Sequence, residues 1–231
     1  MRDGHSGTGP GEVTPDGCSV DLYARMVAGA EPDIVSAAVP AGASLLELGS
    51  GAGRVTGPLV ERGFAVTAVD ESDGMLERLR ERIPGARTVR SPIETLDLGE
   101  RFDVVMLASF LVHTGSHEVR DALLATCRRH VRDDGCVLIQ REGVDWHTRV
   151  PRERVEPGYT VRIVSAEPVG DGVNSVLAEY LFPDARWTQT FLSRPLSRAD
   201  FERYLDEAGL AVETYLTEDG SWVRARPKPS V

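Results

Sequence analysis

Apolar residues in the first two thirds of the chain fall into short runs with two alternating spacings. Residues 43–48, 65–69, 86–90, 102–108 and 136–140 are strand-length runs, and 102–108 is apolar almost throughout, as expected of strands buried on both faces. Between them, residues 54–62, 73–82 and 119–131 carry apolar positions every three or four residues. Met75, Leu76, Leu79 and Ile83 form one such stripe; Val119, Leu123, Cys127 and Val131 form another. Gly63 stops the first segment, Ser72 stands where the cap of the second belongs, and Pro84-Gly85 ends it. This alternation predicts an α/β fold: a Rossmann-like, doubly wound parallel sheet with helices on both faces and right-handed crossovers.

The texture changes at residue 159. Segments 159–166, 173–182 and 186–193 are rich in β-branched and aromatic residues, with turn signals at Gly170-Asp171-Gly172 and Pro183-Asp184. They predict an antiparallel meander spanning 159–194. A helix follows, with Ser197 and Asp200 as a capping pair, Phe201, Tyr204 and Leu205 as its apolar face, and Gly209 as its stop. Residues 210–216 and 222–225 read as a closing hairpin. Two short helices, 20–27 and 32–39, precede the first strand, with Pro32 suited to a first helical turn. Residues 1–17 are Gly-rich and have little to bury, so they read as a flexible arm ahead of a single domain, 18–231.

The length of 231 residues suits one such domain. The formal charge of −10 argues against a nucleic-acid groove, which rests on Lys and Arg. The three cysteines, Cys18, Cys127 and Cys136, form no C-x-x-C pair, so neither a disulfide framework nor a zinc site is expected. There is no apolar leader at the N-terminus and no membrane-length run, which points to a cytoplasmic protein without a membrane partner.

The chemistry concentrates at Glu47-Leu48-Gly49-Ser50-Gly51-Ala52-Gly53, where a buried strand runs into a glycine-rich turn that opens a helix. Glycines there permit a tight turn and close approach of a ligand. About twenty residues later, at the end of the second strand, Asp70 can accept hydrogen bonds from both hydroxyls of a ribose. Together they specify a nucleoside cofactor. A dinucleotide fingerprint requires glycine or alanine where this chain has Arg54, which disfavours an NAD-dependent oxidoreductase.

The pattern Glu47-x-Gly49-x-Gly51-x-Gly53 resembles the first motif of the class I S-adenosylmethionine-dependent methyltransferases. Residues 66–71 are similar to their second motif, 102–107 to their fourth, and Asp70-Glu71-Ser72-Asp73-Gly74-Met75-Leu76 to their D-x-S-x-x-M-L stretch. The resemblance covers roughly residues 45–141. It implies a seven-stranded sheet of order 3-2-1-4-5-7-6 with strand 7 antiparallel, and S-adenosyl-L-methionine as cofactor. It places Glu47, Gly49, Gly51 and Gly53 at the methionine and ribose, Asp70 on the ribose, and Glu71, Ser72 and Met75 beside the adenosine. Leu107, Ala108 and Ser109 would pass under the sulfonium, and Tyr23 would close the site. The chain departs from the family where the acidic residue beside the adenine aligns with Pro92; Ile93 and Glu94 are the substitutes.

Methyl transfer is mostly alignment, and a base matters only if the acceptor loses a proton. The candidates beyond the fourth and fifth strands are His113, Glu142 and His147, with His117 and Asp145 nearby. His113 reads equally as a base or as a support for the cofactor. Trp146 reads as an acceptor wall or as core packing. Tyr159, Tyr180, Trp187 and Phe191 either roof an acceptor pocket or fill the meander's own core, and a homodimer surface is a further use of this segment. His113 and His117 lack a third ligand, so no metal is expected, and Ser109 lacks a nucleophile-elbow context. The expected activity is methylation of a small-molecule acceptor of the secondary-metabolite, antibiotic-tailoring kind. The alternatives are a ring- or cyclopropane-forming use of the same cofactor and a non-catalytic nucleoside-binding module. Ordering of residues 1–20 and Tyr23 over the cofactor would make the arm a lid.

Overall fold

Side chains along the central strands alternate between two cores. In β2 (Ser44–Leu48) and β5 (Phe102–Leu107), Leu45, Val104 and Met106 face one side, while Leu46, Leu48, Val105 and Leu107 face the other. The first core is closed by α2 (Glu31–Ala38) and α3 (Thr56–Glu61), through Val35 and Leu59. The second is closed by α5 (His117–His130) and α6 (Arg198–Glu207), through Leu123, Leu124, Phe201 and Leu205. A sheet buried on both faces follows from these two apolar sets. The computed structural model describes residues 1–143 and 145–229.

The sheet has seven strands in the order β11-β12-β6-β5-β2-β3-β4. Its other members are β3 (Ala65–Asp70), β4 (Arg87–Arg90), β6 (Val131–Gln140), β11 (Leu210–Tyr215) and β12 (Trp222–Pro227). The pairs from β4 to β6 are parallel, and β12 is antiparallel to both β6 and β11. Counted within this sheet alone, the order is 3-2-1-4-5-7-6 with strand 7 reversed, as expected. Helix α1 (Val20–Arg25), α4 (Asp73–Arg82), α5 and α6 each begin at a serine, Ser19, Ser72, Ser116 and Ser197, whose hydroxyl accepts a first-turn N–H. Such caps contribute about 1 kcal/mol each.

Element limits move where the backbone overrides the pattern. Gly53 adopts a left-handed φ of 79°, so α3 begins at Thr56 rather than at 54. Ser116 caps α5 early, and Val131 leaves that helix to become the first residue of β6.

The meander is a second sheet of five antiparallel strands, in the order β1-β10-β9-β8-β7. Three strands stand where expected: β8 (Tyr159–Gly170), β9 (Val173–Leu181) and β10 (Arg186–Ser193). Two were not expected. The charged segment β7 (Arg152–Glu156) pairs with β8 across a two-residue turn at Pro157-Gly158.

The other, β1 (Ser6–Thr8), corrects the reading of residues 1–17 as a flexible arm. It pairs with β10, Ser6 opposite Thr190. The Trp187 indole N–H donates to the Pro10 carbonyl at 2.8 Å, and the Val20 N–H donates to Glu12 O at 2.9 Å. Gly7 lies on the Gly17 carbonyl, too close for any side chain at that position. The glycines that suggest mobility are what allow the arm to fold flat on itself.

Candidate active site

The turn after β2 is left-handed at every second residue: φ is 75° at Gly49, 53° at Gly51 and 79° at Gly53. L-residues with side chains are strained there. A side chain at Gly49 would also strike Leu111, and one at Gly53 would strike Leu79, whereas at Gly51 the nearest neighbours are Tyr23 at 3.8 Å and the Met75 sulfur at 4.0 Å. Gly51 therefore opens onto a small recess walled by α1 and α4.

Asp70 ends β3 beside that recess. One carboxylate oxygen accepts the Gly51 N–H at 2.8 Å and the other accepts the Ser72 N–H at 2.9 Å. A carboxylate has about four acceptor sites, so these bonds fix its direction and leave two for a ligand. Burial raises its pKa, while the two N–H donors lower it in opposition. Ser72 spends its hydroxyl on the α4 cap, accepting from Met75 N at 3.2 Å.

Below the turn, Glu47 is buried, accepts from the Thr56 hydroxyl at 2.6 Å, and is pushed up to about 7 by desolvation. Ile93 lies on the opposite side, 3.7 Å from a side-chain position at Gly49. Glu71 and Glu94 are joined by one residue of the arm: Arg2 reaches Glu71 at 2.9 Å and Glu94 at 3.8 Å. At the end of β5, Leu107 is wholly within the core, so it offers only its backbone, and Ala108 is nearly as buried. Ser109 and Phe110 then take left-handed φ values of 53° and 60°, and Ser109 N donates to the Gln140 side chain at 2.8 Å.

Three features fit a nucleoside bearing an amino-acid tail. Asp70 has spare acceptor capacity aimed by backbone donors. Gly51 leaves room for a close approach. The Ser50 hydroxyl is buried without a hydrogen-bond partner among the described residues, as a ligand-facing group would be when alone.

The proposed bases form a separate cluster between β6 and the meander. His113, in the 3-10 turn Leu111–His113, uses both ring nitrogens: Nδ1 lies 2.8 Å from Arg194 O, and Nε2 accepts the Glu142 N–H at 2.9 Å. Burial lowers its pKa to about 3, so it is a neutral brace for the Glu142 backbone with no spare nitrogen. The Glu142 carboxyl, raised to about 8 by burial, accepts from the Ser193 hydroxyl at 3.2 Å on either oxygen. His147 Nε2 lies 2.9 Å from that hydroxyl and 3.2 Å from Glu142, and burial lowers its pKa to about 4. His147 Nδ1 makes no bond among the described residues.

Trp146 stands edge-on to His147, their ring centres 4.9 Å apart, and packs against the meander with Phe191. His117 instead bonds Arg120 and the Tyr204 hydroxyl, both at 3.1 Å, and Asp145 pairs with Arg149 on the surface. Among the described residues no group of three or more His, Cys, Asp or Glu side chains is placed to hold a metal ion. No described helix is long and apolar enough to cross a membrane.

The sequence passes over several side chains that build this region. Arg2 could not be read because its partners lie far along the chain. Ser193 closes a strand with no polar signature. Arg54 is the exception, since it directly follows the last glycine; it pairs with Glu31 of α2 at 2.6 Å.

The family profile described as methyltransferase domain matches residues 45–135, the stretch that supplies the glycine turn, Asp70 and β5. An uncharacterized methyltransferase of Mycobacterium tuberculosis is 32% identical over 139 residues, 59% of this chain and 53% of that protein. The match thus spans about half the length of that curated relative. A ubiquinone biosynthesis O-methyltransferase of Paramagnetospirillum magneticum is 38% identical over 77 residues, 31% of this chain and 30% of its own length.

Among solved structures, the CcbJ methyltransferase of Streptomyces caelestis superposes with a TM-score of 0.72 at 20% identity, covering 91% of this chain and 96% of its own. CalS10 of Micromonospora echinaspora, an amino pentose methyltransferase of calicheamicin biosynthesis determined with S-adenosylmethionine bound, superposes with 0.65 at 22%, covering 92% and 93%. These likenesses show the fold, cap included. Over the glycine turn and Asp70 the profile match is to a methyltransferase domain, the class whose first motif the turn resembles.

Proposed function

We propose that this protein methylates a small-molecule acceptor, of the kind found in secondary metabolism, at nitrogen, oxygen or carbon. The observation that carries the reading is Asp70, oriented by two backbone donors at the open glycine of the turn. The names of the structural neighbours support the acceptor class, CalS10 being an amino pentose methyltransferase.

When bound, S-adenosylmethionine supplies a methyl group on a sulfonium leaving group. Asp70 would hold the ribose, Glu71, Ile93 and Glu94 would flank the base, Met75 and Tyr23 would close over the turn, and Ala108 and Ser109 would lie under the reactive end. The left-handed pair Ser109-Phe110 turns the chain sharply there, and backbone strain of this kind, about 1–3 kcal/mol per residue, is retained where it positions a reacting group. The inner face of the meander, with Tyr180, Gln189 and Phe191, forms the acceptor's far wall. His147 would take the acceptor's proton on Nδ1, with Nε2 held by Glu142 and Ser193 and with Glu142 itself braced by His113. A homodimer through the meander belongs to the same proposal.

Two measurements test it. S-adenosylmethionine and S-adenosylhomocysteine should raise the melting temperature, by mass action, and NAD should not. Incubation with a panel of amino and hydroxy sugars and phenols should then yield a product heavier by one methylene. A larger shift with NAD sinks the cofactor assignment. Cofactor binding with no methylated product from any acceptor favours the non-catalytic module, and a ring-closed product favours the alternative chemistry.

A further inference from the structure

On the inner face of the cap stands an arginine with no acid to match it among the described residues. Antiparallel register sets Arg152 of β7 opposite Ile163, Ile163 opposite Ala178, and Ala178 opposite Gln189, and residues paired in this way share a face. Arg152 therefore lies in one row with Gln189 of the proposed acceptor wall. The next row, on the outer face, joins Glu153, Arg162 and Glu179. There the charges are matched: Arg162 Nε donates to Glu153 at 2.7 Å, and Nη1 lies 3.5 Å from Glu179.

Neutral groups hold the Arg152 guanidinium in place. Nη1 donates to the Trp146 carbonyl and, at 3.2 Å, to the Arg149 carbonyl. The guanidinium carbon lies over the Trp146 ring, 4.3 Å from its centre. Nη2 is buried and has no hydrogen-bond partner among the described residues, a state that costs free energy until an acceptor arrives. Burial pulls the Arg152 pKa below its ordinary value, as expected of a cation short of counter-charge. Glu142 lies within ion-pair distance of His113 and His147, not of Arg152, and burial holds its carboxyl at about 8, so near neutral pH it is largely uncharged. The indole also links the guanidinium to the proposed base, because Trp146 stands edge-on to His147 at 4.9 Å. An arginine stacked on a ring and tied through one nitrogen presents the other as a preformed donor for a planar anion.

We propose that Arg152 binds a carboxylate on the acceptor, so that the substrates of this protein are acids. The inference rests on the methyl-transfer reading above and narrows its acceptor class. A carboxylate supplies what Nη2 lacks, a charged acceptor, and lies against the indole with the rest of the molecule running along the inner face toward Gln189. Neighbouring strands are about 4.8 Å apart, so the row from β7 to β10 spans about 14 Å, enough for a single sugar or phenol ring with its acid group. His147, one indole away, then meets the acceptor at a set distance from its acid end.

Calorimetry on the full chain tests this with matched acid and neutral probes: para-hydroxybenzoate against para-hydroxybenzamide, and glucuronate against glucose. Each pair is measured with and without S-adenosylhomocysteine, so a failure of cofactor loading does not hide the result. In the wild type at least one acid should bind about 10- to 100-fold more tightly than its neutral twin, the range of a charge-assisted bond. Arg152→Met should erase that preference by weakening the acid alone. Arg152→Lys, which keeps the charge and loses the planar fork, should retain part of it. The melting temperature of each variant reports the fold, and the wild-type comparison needs no variant. No preference in either pair, or a preference that survives Arg152→Met, overturns the proposal and leaves Nη2 resting on the indole face. Because binding is read without turnover, failure of the methylation reading is distinguishable: the acids then bind selectively and gain no methyl group.

Discussion

Asp70 is aimed before any ligand arrives, because the Gly51 and Ser72 amides hold one oxygen each. Replacing it by alanine should therefore lower S-adenosylmethionine affinity by about 1.5–3 kcal/mol. Glu77, exposed on the next helix turn, should tolerate the same change, and equal losses for the two variants by calorimetry would remove Asp70 from the ribose. Glu47 makes a second prediction at this scale. Its carboxyl is raised to about 7 in the ligand-free protein by burial, and a cationic ligand favours its ionised form. Below pH 7 the proton must leave on binding, so affinity should rise with pH from 5.5 to 7.5, by up to about tenfold per unit. Glu47→Gln should bind more weakly and show a flat profile over that range. A third concerns Ser109: glycine relieves the left-handed φ of 53°, so Ser109→Gly should raise stability to urea by about 1 kcal/mol while lowering turnover, if the strain positions the reactive end.

At the scale of elements, the cap is fastened to the sheet by buried titratable groups. Glu142, just beyond β6, meets Ser193 at the end of β10, while His113 takes Arg194 by both its carbonyl and its ring. Glu142 has a folded pKa of about 8 against an ordinary 4.5, so its stabilising contribution is complete below 4.5 and is lost as pH rises through 8. His113 and His147 are lowered to about 3 and 4 from 6.5, so theirs is complete above 6.5 and is lost toward pH 3. Between 4.5 and 6.5 the two trends oppose each other. Above 6.5 the Glu142 contribution falls, joined up to about pH 7 by that of Glu47, and stability should drop toward pH 8 by up to about 1.4 kcal/mol per unit for each group. Glu142→Gln, denatured in urea across this range, should show a flatter decline.

The same scale explains what could be read from the chain. Helix α4 has the same limits, 73–82, by pattern and by structure, since its serine cap, apolar stripe and Pro-Gly stop are all local. The glycine turn and Asp70 were legible together because adjacent parallel strands bring their C-terminal ends to one edge. Strand β7 has alternating charges that read as surface, and its only signal is Pro157-Gly158, two residues before Tyr159. Strand β1 has three residues and takes its order from β10; no local spacing announces it. For the same reason Arg2 on Glu71 and Glu94, and Ser193 on Glu142, lay beyond reach, each contact being made by segments that only the tertiary fold brings together.

Across the whole molecule, the arm ties the two sheets at both ends: Arg2 pairs with Glu71 and Glu94, the proposed adenosine-side rim, and Ser6–Thr8 completes the cap. Deleting residues 1–17 should leave the seven-stranded sheet folded, by far-ultraviolet circular dichroism. It should also speed S-adenosylmethionine dissociation in stopped-flow measurements, because the strap over the rim is gone. Unchanged dissociation would make the arm a structural edge only.

Thr8 bonds Thr188 across a separation of 180 residues. On the ribosome, β1 must therefore wait for some 180 further residues before its partner β10 exists, and until then its own edge is unpaired. Pairings this distant in sequence close slowly. An unpaired edge awaiting its strand is a place where nascent chains can join one another instead. Synthesis rate and chaperone supply, rather than the stability of the finished fold, should then govern how much protein a cell recovers. Trp187, whose indole N–H finds Pro10 only after that closure, is a built-in fluorescent reporter of the step.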